Sequence, residues 1–527
     1  MRKLPIIAPA CILVSLLFVV LYYQNDVLTG VVDVSDSNKS SNNDSLENRD
    51  SLDDKYDSNY DHEDFVLDYR VLGDFERIDT PYVSEAKLPD NTWPLGIMVD
   101  DEGNVWVGGT KSHQLLEYDS KLLAITNTIL LNDKNSATNS TQDPEAIWSI
   151  VEDNDLIWIS QTGKNRLWMF DKNSHDLQIQ KDVTSAAVQM QIDKDSGDLW
   201  FTDTDQDVLG VIQKTDDGTY RTHEFHLGQD SSPFGLYLSD DGNVWITESS
   251  NHKILSFTKS TSNGLILNVT KDFELAHSDD TIFYYPSDLV VLDNKIWFTE
   301  HLTNYFLEYD VDTEKLIRYP TSINPRHYGT LPFWMVDDPE QKGFWFTEHF
   351  GNRMAFFDVQ NKTLTEYEIP SRDPAWNYIS NAIGMAIDPN NPDHLWFSEL
   401  YLDKIGMVDR SIPVPFDISF SSDNIIVNKN DITVVVDFTV RINHDGTPIR
   451  NNEIFLKKSS SIVATAGFGN VTAKIEPDHF VVSGLESFEG KLILDEIQNM
   501  ESGNYTIAIS ATDGTVTKTD YALLNVH

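Results

Sequence analysis

One pattern, repeated seven times, constrains this chain more than any other feature. Its clearest copy runs from Gly235 to Ile254, and it recurs around Trp106, Trp158, Trp200, Trp245, Trp297, Trp345 and Trp396. Successive tryptophans lie 52, 42, 45, 52, 48 and 51 residues apart. A self-similar period of that length marks a radial array in which each repeat is one small four-stranded sheet. Seven copies predict a closed seven-bladed β-propeller.

Each repeat reads strand by strand. Gly235 to Leu238 is an innermost strand, Asp240 to Asn243 a tight hairpin turn, Val244 to Thr247 the second strand and Asn251 to Phe257 the third. Fourth, outer strands are visible as Tyr220 to His226, Lys315 to Tyr319 and Thr363 to Ile369. The seventh repeat lacks one, because after Lys404 to Asp409 the chain runs into Arg410, Ser411, Ile412 and Pro413. An open sheet edge is a liability, and the earlier segment Tyr82 to Leu88 has a strand's composition. It is predicted to close the ring by pairing into blade seven.

The 527 residues leave room for further domains on either side of the repeats. Arg2 and Lys3 precede a run from Leu4 to Tyr23 that is apolar apart from prolines, Ser15 and Cys11. Twenty residues at about 1.5 Å each match the hydrocarbon core of a bilayer. Residues 1–25 are therefore expected to form a single transmembrane helix with the rest of the chain outside the cell membrane. No small-residue cleavage site follows, and Cys11, the only cysteine, lies too early in the run to become a lipid-modified N-terminus. Seven Asn-x-Ser/Thr sequons, at Asn38, Asn43, Asn139, Asn268, Asn361, Asn470 and Asn504, are compatible with an extracytoplasmic glycoprotein.

Residues 26–80 carry 16 acidic and 5 basic side chains among Ser, Asn and Asp, too little apolar surface to offset ordering, so a disordered stalk is expected. The propeller is assigned to 81–415. Beyond it, Ile425 to Val427, Thr433 to Ile442, Ile462 to Ala466, Lys491 to Leu494, Tyr505 to Ala511 and Tyr521 to Val526 are short alternating strands. Residues 416–527 thus read as an immunoglobulin-like β-sandwich, with Tyr505 placed as a tyrosine corner. The fold class is all-β. The formal charge of −45 repels phosphate backbones and sets nucleic acid aside as a partner, leaving a small-molecule or surface-protein ligand.

The residue three beyond each tryptophan ends the second strand, on the face where innermost strands begin. Around the ring these are Gly109, Gln161, Asp203, Glu248, Glu300, Glu348 and Glu399, with His301 and His349 following two of them. One reading is an acidic rim that holds Mg²⁺ or Ca²⁺ through Asp203, Glu248, Glu300, Glu348 and Glu399, with Glu348, Glu399, His301 and His349 as catalytic candidates. The other is a blade-building device that bonds the following loop, which its repetition favours. Trp376, Tyr378, Tyr285 and Trp334, with Tyr284 and Tyr328 beside them, fall near the connections entering innermost strands. They either line a ligand pocket or pack between blades. Asp193 to Asp198 lacks the distant Glu of a calcium loop and reads as a hairpin turn.

The repeat motif, as in Pro233 to Ile254, Trp345 to Asn352, and Trp396 to Glu399 with Asp403 to Gly406, resembles that of the streptogramin B (virginiamycin B) lyase family of seven-bladed propellers. The resemblance covers roughly Tyr82 to Asp409. It implies eliminative opening of a cyclic depsipeptide at its ester, with a histidine base and Mg²⁺ polarising the carbonyl. The family's histidine positions correspond here to Phe333 and Ile383, neither of which takes a proton, and its acidic residue to Asn381. The implied machinery is therefore absent or moved to His301 or His349. Two functions follow as expectations: a tethered propeller that binds a ligand, cation or partner on its acidic face, or a metal-dependent lyase or lactone hydrolase of the streptogramin-lyase or gluconolactonase type.

Overall fold

Seven antiparallel four-stranded sheets stand around one axis in the structure, a computed structural model that describes residues 77–131, 146–163, 165–180, 187–215, 217–260, 266–274, 285–301, 303–322, 330–340, 342–373, 379–458 and 472–527. Blade one runs outward through Pro94–Val99, Asn104–Gly109, Gln114–Asp119 and Ala124–Leu130. The innermost strands of the other blades are Ile150–Asp153, Gln189–Ile192, Pro233–Leu238, Pro286–Leu292, Pro332–Asp337 and Ala382–Asp388. Each packs against the next, and that of blade seven against that of blade one. The repeat period is thus realised as a closed ring of seven.

Closure uses the segment expected for it. Val83–Lys87 lies antiparallel to Lys404–Asp409, with Val83 opposite Val408 and Lys87 opposite Lys404. Tyr82 is fully buried edge-on against Tyr367 of blade six, ring centres 5.5 Å apart. Glu85 accepts from the Ser371 backbone N–H at 2.8 Å and from Arg77 at 2.6 Å, which staples the closing strand to the exit of blade six.

Adjacent blades are joined by a hydroxyl latch. Alternation along the second strand turns the residue two beyond each tryptophan toward the neighbouring blade. Thr202, Thr247, Thr299 and Ser398 donate to the carbonyls of Phe234, Ser287, Phe333 and Leu95 at 2.7, 2.7, 2.6 and 2.9 Å. In their own blades Thr247, Thr299, Thr347 and Ser398 accept from the N–H groups of Gly235, Asp288, Trp334 and Gly384. A β-bulge just after the opening Pro or Ala frees those N–H groups from the ladder. The backbones come so close that a Cβ on Gly384 would sit 2.1 Å from the Leu95 carbonyl oxygen.

The C-terminal strands form a two-sheet sandwich. Phe416–Phe420, Thr433–Ile442, Ser487–Asp495 and Thr472–Glu476 make one sheet. Val516–Val526, Gly503–Thr512, Glu453–Lys458 and His479–Val481 make the other, with Asn424–Val427 parallel to Val516–Val526. Between them Phe438, Val440, Leu492, Leu494, Ile507 and Leu524 are buried. The Tyr505 hydroxyl donates to the Glu501 carbonyl at 2.9 Å, the bond of a tyrosine corner. Sequence patterning does not show how this unit sits. Thr363–Tyr367, on the outer strand of blade six, pairs antiparallel with Val516–Asp520, so blade and sandwich share one nine-stranded sheet. Tyr521 completes the seam by donating to the Pro320 carbonyl of blade five at 2.7 Å.

The expected anchor, the stalk up to residue 76 and the strand over Ile462 to Ala466 lie outside the described residues. Among the described residues no helix is long and apolar enough to cross a membrane.

Candidate functional site at the axial end

The five carboxylates expected to form a metal-holding rim are not brought together. Asp203 accepts from the N–H groups of Asp205 and Gln206 at 2.9 and 3.0 Å, Glu248 from Asn251 at 3.3 Å and Glu300 from the Thr303 hydroxyl at 3.1 Å. Glu348 faces Arg353 at 3.8 Å, and Arg353 in turn binds Glu368 at 2.7 Å on the outer strand of blade six. Glu399 lies under the influence of Glu85 and Lys404, on the two outer strands of blade seven. For Asp203, Glu248 and Glu300 the physical reason is local: the second strand ends at a turn, and the side chain there bonds the turn residues that follow. Asp203, Glu248, Glu300, Glu348 and Glu399, expected to hold a metal, thus form no group of three or more placed to do so among the described residues, and the first three bond their own turns. Burial drives the carboxyls of Glu348 and Glu399 well above the usual range, reinforced by Glu366 beside the first and Glu85 beside the second.

What faces the axis is aromatic. The third residue of the innermost strand is Gly96, Gly235, Asp288, Trp334 and Gly384 in blades one, four, five, six and seven, while Trp148 lies two residues before the blade-two strand and Gln189 opens that of blade three. Trp148 of blade two meets Trp334 of blade six across the ring, centres 6.4 Å apart and planes 4° from parallel. Phe234 stands nearly perpendicular to both, at 6.2 and 5.9 Å, and touches Phe333 at 5.1 Å. Asp288, fully enclosed, accepts from the N–H groups of Met335 and Leu289 at 2.8 and 2.9 Å and ties blade five to blade six. Burial pushes its carboxyl up to about 7.

The residue four beyond the tryptophan also turns inward, and in blades five and six it is histidine. The His301 ring lies 4.6 Å from Phe333 and 4.9 Å from His349, and Tyr285 is 6.5 Å from His301. Backbone geometry fixes this group. Trp93, Ser232, Tyr285, Leu331 and Asn381, each just before an innermost strand, have φ of 50°, 47°, 60°, 49° and 59°. The left-handed region costs a non-glycine residue on the order of 1 kcal/mol or more. It aims the Tyr285 carbonyl at the His301 N–H, 3.2 Å away.

Burial lowers the His301 imidazole to about 3 and that of His349 well below its ordinary value, the latter helped by His301. Burial and then Asp205 raise the Tyr285 phenol to about 12, while burial and then Asp203 raise Asp205 to about 6. His301 Nε2, His349 Nδ1, the Tyr285 hydroxyl, Trp148 Nε1 and Asp205 Oδ1 are buried without a hydrogen-bond partner among the described residues. Such orphaned groups set in aromatic faces suit a ligand held by ring contacts and oriented by a few hydrogen bonds. They do not suit a hard cation such as Mg²⁺ or Ca²⁺, which takes oxygen ligands. Among the described residues no group of three or more His, Cys, Asp or Glu is placed to hold a metal.

His301, His349, Tyr285 and Trp334 are thus gathered at one place. Trp376 and Tyr378, like Tyr284 and Tyr328, lie outside the described residues. Trp148, Phe234 and Asp205 escaped sequence reasoning. The available signal was tryptophan standing where other repeats have the glycine of Pro-x-Gly.

A sequence profile described as the Virginiamycin B lyase family matches residues 132–412, more than half of the chain. The protein belongs to that family of propellers. A streptogramin B lyase structure is 20% identical, with a TM-score of 0.48, covering 62% of this chain and 96% of that one. A virginiamycin B lyase from Staphylococcus aureus is also 20% identical, at a TM-score of 0.48, covering 62% and 98%. A catalytically inactive form of the Staphylococcus aureus lyase with quinupristin is 20% identical at a TM-score of 0.47, covering 62% and 98%. No curated protein sequence gives a significant match.

Proposed function

We propose that this protein is a membrane-tethered, extracytoplasmic propeller that binds an apolar or aromatic small molecule at its axial end without opening it. The observation that carries the reading is the set of buried, unpartnered polar atoms on His301, His349, Tyr285 and Trp148, placed among the faces of Phe234, Phe333 and Trp334. The apolar run from Leu4 to Tyr23 supports the tether. Against turnover stand Phe333 and Ile383 at the positions where the family resemblance implies proton-transferring histidines.

A lyase remains the second reading because the two imidazoles flank Phe333, at 4.6 and 5.5 Å. Quinupristin, present with an inactive family member, is a suitable probe for both. Adding it to the full chain in detergent is expected to quench tryptophan fluorescence while the compound stays intact by mass spectrometry. Ring-opened product formed by the wild-type chain and lost with His301→Ala would replace the binding reading with the lyase.

A further inference from the structure

Two imidazoles meet at the axial end, where the described residues form no group of three or more His, Cys, Asp or Glu placed to hold a metal. His301 and His349 occupy the same repeat position in neighbouring blades, and their rings are inclined by 45° with centres 4.9 Å apart. Their relative exposures are 5% and 3%, and one nitrogen of each, Nε2 of His301 and Nδ1 of His349, is buried and unbonded among the described residues. Natural proteins rarely leave such nitrogens without an occupant.

We propose that His301 and His349 together bind one transition-metal ion of the imidazole-preferring kind, Zn²⁺ or Cu²⁺, at the axial end of the propeller. An imidazole nitrogen binds Zn²⁺ at about 2.0–2.1 Å, and roughly 1.1 Å more separates that nitrogen from its ring centre. Two rings sharing an ion at a near-tetrahedral angle then have centres about 5 Å apart, which the observed separation matches. Imidazole donors select Zn²⁺ and Cu²⁺ over the oxygen-seeking Mg²⁺ and Ca²⁺. The donor set here is therefore the opposite of the one the family resemblance implies. Two protein ligands leave positions for water or an incoming donor atom beside Phe333, whose ring centre lies 4.6 Å from that of His301 and 5.5 Å from that of His349.

This inference deepens the reading of the axial end as a binding site, and the two are tested apart: quinupristin binding in the presence of chelator bears on the first, metal titration without quinupristin on the second. The chelator-stripped full chain in detergent is titrated with Zn²⁺, Cu²⁺ and Mg²⁺ by calorimetry. About one equivalent of Zn²⁺ or Cu²⁺ is expected to bind, with Mg²⁺ weaker by at least about a hundredfold. His301→Asn and His349→Asn should each weaken Zn²⁺ by about tenfold or more while leaving the thermal midpoint in chelator near that of the wild type. Electron paramagnetic resonance of the Cu²⁺ form of the unaltered chain gives a measure independent of the variants, with coupling to imidazole nitrogens expected. Absence of Zn²⁺ and Cu²⁺ binding, a copper signal without nitrogen coupling, or undiminished affinity in the double variant would overturn the proposal.

Discussion

Asp288 shows how one side chain sets a pH dependence for the whole ring. Its carboxyl rises from the ordinary 3.8 to about 7 because burial outweighs the backbone bonds it accepts. The folded protein therefore holds this proton more tightly than the unfolded chain. The stabilisation is complete below about pH 4 and is lost as pH climbs through about 7. At 1.36 kcal/mol per unit the loss is at most roughly 4 kcal/mol. Asp288→Asn should flatten this decline, read from urea unfolding between pH 4 and 8; an unchanged slope would assign it to other groups. At the ligand end, Phe234→Ala and Trp334→Ala should weaken quinupristin binding by about tenfold or more, since each removes an aromatic face on the order of 1–2 kcal/mol.

At the scale of the element, the latch and the closing strand make separable demands. Thr247 donates to Ser287 and accepts from Gly235, so Thr247→Val leaves a buried carbonyl and a buried N–H without partners. A loss of about 1–3 kcal/mol in chemical unfolding is expected. Tyr82 tests the closure more directly. Tyr82→Phe removes only the 2.7 Å bond to Thr447 and should cost about 1 kcal/mol. Tyr82→Ala also empties the contact with Tyr367 and should cost about 3–5 kcal/mol. Equal effects from the two variants would mean that the ring packs against nothing essential to closure.

At the scale of the molecule, the shared sheet makes the sandwich part of the propeller's wall. Blade six would otherwise present an unpaired outer edge along Thr363–Glu368, and the last strand of the chain covers it. Calorimetry should therefore show blade and sandwich unfolding in one transition. A chain ending at Arg410 should self-associate through the uncovered edge in size-exclusion chromatography; a stable monomer with an unshifted midpoint would show the seam to be dispensable. The formal charge of −45 adds self-repulsion that salt screens, so stability should rise with NaCl at fixed pH.

The sequence by itself determined the blade count, the strand order within a blade and the identity of the closing strand. These rest on periodicity, turn residues and a missing partner, all local in the chain. Only the tertiary structure decided where side chains at equivalent positions point. Glu348 and His349 are adjacent in sequence, yet Glu348 faces Arg353 of its own blade and His349 meets His301 of the neighbouring one, because the strand ends at Glu348 and the chain turns there. The stacking of Trp148 on Trp334 and the pairing of Thr363–Tyr367 with Val516–Asp520 join residues some 150 or more positions apart. No short-range pattern encodes such contacts; ring closure and docking create them.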